Sequence, residues 1–423
     1  MGSAVGAIRK HRPDSQILVA MMLLMAIGLV VMFAISPRQA NFLNSAGGNY
    51  AENEFFVKQL GHVLVALAAF FVAYKFPFTK MEKCAKLILG AGFGLCAMLF
   101  LFGNILHVDS IAEPINGAYR WIKIGISFQP AEVLKLGLII YMAAYLSNRI
   151  KNRELNTKQT ILRFGTILLV SLLFVIGAQK DMGTGLTIAA ILLSVLLISG
   201  MKLRLIMGFL AVITILGSVF VMITPYRRDR IMTFLRGSEV VVSESAREED
   251  YHAKQAQIAI GTGGLMGVGV ADSVQSTGYL PESKNDSVFA IMGEMFGFLG
   301  AMAVVALFFW LLYRLLRTIS FLHTLFGRIV VAGIFGWVAS HVMINMAAMV
   351  GAIPLTGIPL PLISYGGTSL LFMSLALGLA FHWSGWTAHR AINMKGDDDE
   401  NTHGRRRIGR THSARQGTYR RNY

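Results

Sequence analysis

The residues best able to do chemistry in this chain are a few charges set inside or against long apolar runs. Glu132 and Lys135 stand in Phe128-Gln129-Pro130-Ala131-Glu132-Val133-Leu134-Lys135, with an apolar stretch directly behind them. Pro130 suits the first turn of a helix, and Glu132 and Lys135 are then three apart on one face, where they neutralise each other. The plain reading is an ion pair that fixes helix packing. The functional reading is that Lys135 also faces an anionic group of a substrate, since ionisable residues in apolar segments are functional by default. Arg120, Trp121 and Lys123 lie just upstream. They read either as an interfacial anchor or as a cradle for phosphate. Asp181, in Gln179-Lys180-Asp181-Met182-Gly183-Thr184-Gly185, precedes another apolar run and reads first as a helix cap.

Asp286 ends Tyr279-Leu280-Pro281-Glu282-Ser283-Lys284-Asn285-Asp286, immediately ahead of an apolar run. Position alone would again make it a cap. It also closes the longest interruption of the apolar pattern, from Pro225 to Asp286, and long loops in compact proteins tend to carry function. Gly261, Gly263, Gly264, Gly267 and Gly269 lie among apolar residues there, which points to a packed, partly re-entrant segment. Arg227, Arg228 and Arg230 open the stretch as a local basic cluster, because nine acids oppose seven bases over the whole of it. Further on, Pro354 to Gly367 holds three prolines, three glycines, Ser364 and Tyr365. No continuous helix forms there, and broken backbone survives at membrane depth only where protein or a water-lined cavity satisfies it.

The elements that must position these residues follow from composition. The chain has 423 residues, of which 54% are hydrophobic and only 15% charged, against roughly a quarter charged in soluble proteins. Apolar runs of about twenty residues match the ~30 Å hydrocarbon core of a bilayer when helical. The fold class is therefore an all-α integral membrane protein with about ten transmembrane helices. They fall at roughly 16–36, 55–77, 84–106, 130–148, 160–178, 183–200, 203–224, 287–313, 328–350 and 367–388. An N-terminal segment 1–15, a membrane domain 16–390 with a large loop at 225–286, and a tail 391–423 complete the organisation. The first helix reads as an uncleaved span, because its apolar run is long and lacks a small-residue cleavage site. Cys84 and Cys96 are twelve apart on one helix and too distant for a disulfide.

The net charge of +16 need not mean nucleic acid. With the N-terminus inside, 26 of the 39 basic residues fall on the cytoplasmic side, every short inner loop is basic, and both termini are cytoplasmic. The 225–286 loop and Asp286 then face outward. The tail carries Asp397 to Glu400 and then arginines without apolar periodicity, so it reads as disordered, either solvated or held to anionic membrane lipid.

Taken together, four segments resemble the SEDS family (shape, elongation, division and sporulation; FtsW, RodA and SpoVE). They are Asn116-Gly117-Ala118-Tyr119-Arg120-Trp121 with Gln129-Pro130-Ala131-Glu132, then Gln179 to Thr184, then Ala259 to Glu294, then Leu360 to Gly367. Most specific are Ile260-Gly261-Thr262-Gly263-Gly264-Leu265 and Ile363-Ser364-Tyr365-Gly366-Gly367, and the likeness runs over about residues 15 to 390. Tyr279-Leu280-Pro281-Glu282 and Gly267-Val268-Gly269 lean toward the FtsW branch and cell division. The resemblance implies a ten-helix peptidoglycan glycosyltransferase that polymerises lipid II at the outer face of the bacterial cytoplasmic membrane. It places the family's catalytic aspartate on Asp286 and its acid–lysine pair on Glu132 and Lys135.

The chain departs from the family where His-Thr-Asp-Phe is usual: it has Lys284-Asn285-Asp286-Ser287. Val133 and Leu362 replace residues that are commonly aromatic. On this reading Asp286 takes the proton of the acceptor 4-hydroxyl, and the cations stabilise the departing polyprenyl pyrophosphate. Arg120, Lys123, Glu132, Lys135, Asp181, Arg227, Ser364 and Tyr365 are the expected substrate-binding residues. A divalent cation, Mg or Mn, is compatible with this chemistry, although the sequence holds no ligand cluster and no residue is assigned as a ligand. A class B penicillin-binding protein and divisome proteins are the partners that the family implies. Two other classes compete. A lipid II flippase or transporter would also use ten helices and intramembrane charge, and a silent scaffold that recruits a transpeptidase would not need Asp286.

Overall fold

The computed structural model describes residues 11–112, 114–115, 118–124, 126–224, 228, 231, 234 and 244–387. The Arg227 and Arg230 positions, Asn116, Gly117 and the expected tail 391–423 lie outside them. Among the described residues ten helices are long and apolar enough to cross a membrane. They are α1 (Ser15–Ser45), α2 (Glu54–Lys75), α3 (Phe78–Leu99, continued by a π-helical turn to Ile105), α4 (Pro130–Lys151), α5 (Lys158–Leu172, continued by a second π-helical turn, Leu173–Ala178), α6 (Met182–Ser199) and α7 (Leu203–Ile223), then, after an eleventh helix α8 (Glu244–Thr262), α9 (Val288–Phe321), α10 (Leu325–Met349) and α11 (Gly367–Ser384). Helix α8 lies within the 225–286 stretch and is too polar to be a span. Two small antiparallel hairpins join α3 to α4. Pro114–Ile115 (β1) pairs with Ala118–Tyr119 (β2), and Ile122–Ile124 (β3) pairs with Ile126–Phe128 (β4).

Local chemistry sets the helix starts. The Asp14 side chain accepts from the Gln16 amide, Thr157 from the Thr160 amide and Asp181 from the Thr184 amide. Two helices run well past the lengths their apolar runs predict. α1 continues through Pro37 to Ser45, and α9 passes Arg314 and Arg317 to reach Phe321. A charge does not end a helix if it finds a partner: Arg314 binds the Asp14 carboxylate through two nitrogens. Arg38, in the extension of α1, donates to the carbonyls of Ala271 (2.8 Å) and Ser273 (2.9 Å) and grips the loop that leads to Asp286.

Helices α4, α6, α10 and α11 form the interior, whereas α7 buries only Ile206 and otherwise stands clear. The loop before Asp286 is built into the bundle by a break in α9. At Gly297 the backbone has φ 66°, and a Cβ there would come within 2.2 Å of the Gly267 nitrogen. The freed backbone groups are taken up by the glycine-rich stretch after α8. Val268 and Gly269 donate to the Glu294 and Met295 carbonyls (3.0 and 3.1 Å), and Phe298 and Leu299 donate to Gly264 and Leu265 (2.9 and 3.1 Å). The buried Glu294 carboxylate then holds the next turn, accepting from Ser273 Oγ (2.6 Å), the Val274 amide (2.9 Å) and the Gln275 amide (3.2 Å). A helix interrupted in this way is tolerated because these four bonds give opened backbone groups new partners.

Candidate active site

Asp286 is only 7% exposed and sits one residue ahead of Ser287, the N-cap of α9, whose side chain makes no capping bond. Its backbone is fixed from α10. Asn345 Nδ2 donates to the Asp286 carbonyl (2.7 Å) and to the Ile358 carbonyl (2.8 Å), tying the loop to the broken segment between α10 and α11. Gly357 in that segment has φ 70°, and a Cβ on it would stand 3.9 Å from Asp286 Oδ2. The two segments that lack helical continuity therefore meet at the aspartate.

Asp286 opens onto a cavity of about 2810 Å³. One wall is apolar, from Leu169 and Leu172 of α5, Ile176 of the π-helical turn that continues it, and Ile213 to Ile223 of α7. The rest is polar: Lys58, Arg120, Lys123, Lys135, Lys180, Arg228 and Arg247 against Glu132, Asp181, Glu248, Glu282 and Asp286, seven cations to five acids. A site with a cationic floor and an apolar side suits an amphiphile whose head is anionic.

Lys135 Nζ lies 2.8 Å from Glu132 Oε1, with the residues 1% and 2% exposed. The ammonium also stands 4.7 Å from the Trp337 ring centroid and 3.4 Å from His341 Nε2, to which Trp337 Nε1 donates (3.3 Å). Both neighbours of Nε2 are donors, so Nε2 is the acceptor and Nδ1 carries the proton, donating to the Pro359 carbonyl (3.4 Å). Both members of the pair border the cavity, and the network ties α4 through α10 to the segment beside Asp286.

Arg120 Nη2 donates to the Lys180 carbonyl (3.1 Å), joining the β-hairpins to the start of α6. The Asp181 carboxylate is a cap in full, accepting from the Thr184 amide (2.9 Å) and Thr184 Oγ1 (2.8 Å), yet it borders the same cavity. Lys123 is exposed at the rim. Tyr365 reaches the lining, whereas Ser364 does not: its Oγ accepts from the Leu360 amide (2.8 Å) and closes its own turn. Arg227 is outside the described residues; its neighbour Arg228 borders the cavity. Lys284 turns onto the Phe55 ring (4.2 Å) and is not part of the lining; burial pushes its pKa below the usual lysine value, against the pull of Glu282.

Several residues of the site escaped sequence reasoning. His341 and Asn345 stand in an apolar run, one turn apart, and the rule that singled out Lys135 applies to them equally. His252, on α8, gives no local signal; its Nε2 lies 2.6 Å from Ser287 Oγ. Among the described residues no group of three or more His, Cys, Asp and Glu side chains could hold a metal ion.

Fold and site together define a polytopic membrane protein with an acid- and cation-lined cavity that is apolar along one wall. The profile of the family described as cell cycle protein, FtsW/RodA/SpoVE, matches residues 14–385, and this chain belongs to that family. It is 31% identical over 390 residues to a probable peptidoglycan glycosyltransferase FtsW of Nitrosomonas europaea, covering 90% of this chain and 96% of the relative. It is 30% identical over 384 residues to stage V sporulation protein E of Bacillus subtilis, covering 90% and 99%. Two solved structures share the fold. A chain described under structural coordination of polymerization and crosslinking by a peptidoglycan synthase complex has TM-score 0.70 at 22% identity, covering 89% of this chain and 99% of that one. RodA of Thermus thermophilus has TM-score 0.63 at 21% identity, covering 88% and 96%.

Proposed function

We propose that this protein is a peptidoglycan glycosyltransferase that polymerises lipid II, serving septal wall synthesis in cell division. The observation that carries the reading is the placement of Asp286 on a cavity with seven cations and one apolar wall. The apolar wall accommodates the polyprenyl chain, and the cations receive the pyrophosphate. Asp286 takes the proton of the acceptor 4-hydroxyl, whose oxygen attacks the anomeric carbon of the donor. The bond from that carbon to the pyrophosphate breaks with its electron pair on the leaving group, and configuration inverts. Lys135 and Arg120, each held by partners, offer preorganised charge for the departing oxygen. Both termini face the cytoplasm in this reading and the cavity faces outward. A class B penicillin-binding protein is the partner that would crosslink the product, alongside other divisome proteins.

A flippase reading is favoured by one feature, the cavity's border along α7, which leaves most of its own surface uncovered. Reconstitution with fluorescent lipid II separates the two. Glycan product without leaflet exchange supports the transferase; exchange without product overturns it.

A further inference from the structure

We infer that the start of α11, with Thr368 on it and Lys58 and His62 of α2 beside it, is a second phosphate subsite of the cavity, the one that holds the diphosphate of the acceptor lipid II. The inference rests on the transferase reading above and deepens it. Gly366, the N-cap of α11, has no side chain to offer, and the first helical bond runs from the Leu370 amide to the Gly366 carbonyl (3.4 Å). The amides of Gly367, Thr368 and Ser369 therefore have no carbonyl ahead of them within the helix. All three residues border the cavity. An uncapped helix start of this kind presents donors and the positive end of the helix dipole to an anion.

Thr368 adds the observation that points to a ligand. It is 5% exposed, it borders the cavity, and its Oγ1 has no hydrogen-bond partner. A helical threonine ordinarily turns its hydroxyl back to the carbonyl four residues earlier, as Thr187 does to Gly183 (3.1 Å). Thr368 meets Ser364 at that position, and the Ser364 carbonyl is already taken by Gln59 Nε2 (3.3 Å). A buried hydroxyl left unpaired is costly, and a phosphate oxygen on the cavity side would satisfy it. His62 lies across the same turn. A Cβ on Gly367 would stand 3.0 Å from its Nε2, its ring meets Tyr365 edge-on at 5.5 Å, and its Nδ1 is also without a partner. Lys58, one turn before His62, borders the cavity and is half exposed; its partner Glu54 (2.6 Å) is not part of the lining.

The chemistry asks for two such subsites. The donor's diphosphate is bonded to the anomeric carbon that reacts, so it must stand beside Asp286, where Lys135 is tied through His341 to the Pro359 carbonyl. The acceptor reacts through a hydroxyl at the far end of its disaccharide and keeps its own diphosphate. That group must be held away from the reacting carbon while the new bond forms. The start of α11 is built from other elements, α2 and the turn at Tyr365, whose amide donates to the Lys284 carbonyl (2.9 Å). No bond to the acceptor diphosphate forms or breaks there; the subsite binds and orients.

The test uses the full-length protein in lipid with two substrates varied separately. One is lipid II; the other is a labelled lipid-linked tetrasaccharide whose terminal 4-hydroxyl is capped, so that it acts only as donor. Thr368→Val keeps the shape and loses a hydroxyl that bonds nothing in the structure. It is expected to raise KM for lipid II about tenfold, the low end for a lost bond to a charged group, with kcat and the capped donor's KM near wild type. Thr368→Ser should restore the wild-type KM. Lys58→Gln, at a half-exposed position, should also raise KM for lipid II and weaken its dependence on salt. Ordinary anionic lipid offers the same phosphate chemistry. Phosphatidylglycerol that competes with lipid II in wild type but not in Thr368→Val would overturn the assignment to the acceptor, as would a rise confined to the donor's KM. Unchanged KM for lipid II in both Thr368→Val and Lys58→Gln overturns the inference, while Asp286-dependent synthesis leaves the transferase reading standing. A wild type inert on lipid II overturns both.

Discussion

Replacing Lys135 by methionine removes the positive half of a pair that is almost wholly shielded from solvent. At 2.8 Å and an effective dielectric of ~20, the attraction between unit charges is ~6 kcal/mol. Desolvation of both groups offsets much of it, so the pair adds little over an apolar equivalent, yet breaking it costs about 3–5 kcal/mol because one charge stays buried. Here that charge would be Glu132, whose Oε2 has no hydrogen-bond partner and whose Oε1 would lose Lys135. Lys135→Met should therefore destabilise by about 3–5 kcal/mol in equilibrium unfolding in mixed micelles, and Glu132→Gln with Lys135→Met should recover to within about 1 kcal/mol of wild type. A single substitution costing less than about 1 kcal/mol would refute the buried-pair argument. Activity supplies a separate readout. The folded double variant should still lose about a hundredfold in kcat if Lys135 stabilises the leaving pyrophosphate, whereas full activity would leave the pair with packing as its only role.

Two further substitutions test the frame around Asp286. Gly297→Ala would set a Cβ 2.2 Å from the Gly267 nitrogen and 2.6 Å from the Leu265 oxygen at a positive φ; melting in detergent should show a loss above about 3 kcal/mol or no folded protein, and an unchanged melt would contradict the interlock. Asn345→Leu leaves the Asp286 and Ile358 carbonyls without their donor, at about 1–3 kcal/mol for each buried group. Lipid II turnover should then fall through kcat rather than KM, and a rise in KM alone would count against a positioning role.

The ten spans were legible because an apolar run of span length has few alternatives to a membrane helix. What the run length missed was how far α1 and α9 continue once polar residues such as Arg38 and Arg314 find partners on other segments. The hairpins between Pro114 and Phe128 left no trace, since strands of two or three residues carry no periodic signal. In the site, Glu132 and Lys135 announced themselves as charges in an apolar run, and their geometry is the one the i, i+3 spacing requires. Ser364 belongs to a conspicuous motif, yet its hydroxyl closes a turn. His252 could not be read from the sequence, because its meaning depends on α8 folding back against Ser287. Local pattern reports which residues are unusual; only the packing reports which of them share a cavity.

The most direct measurement is glycan polymerisation from purified lipid II by wild type and Asp286→Ala, each with and without a co-purified transpeptidase. The account predicts glycan strands from wild type and none from a folded Asp286→Ala protein under either condition. Strands of wild-type length from Asp286→Ala would contradict it.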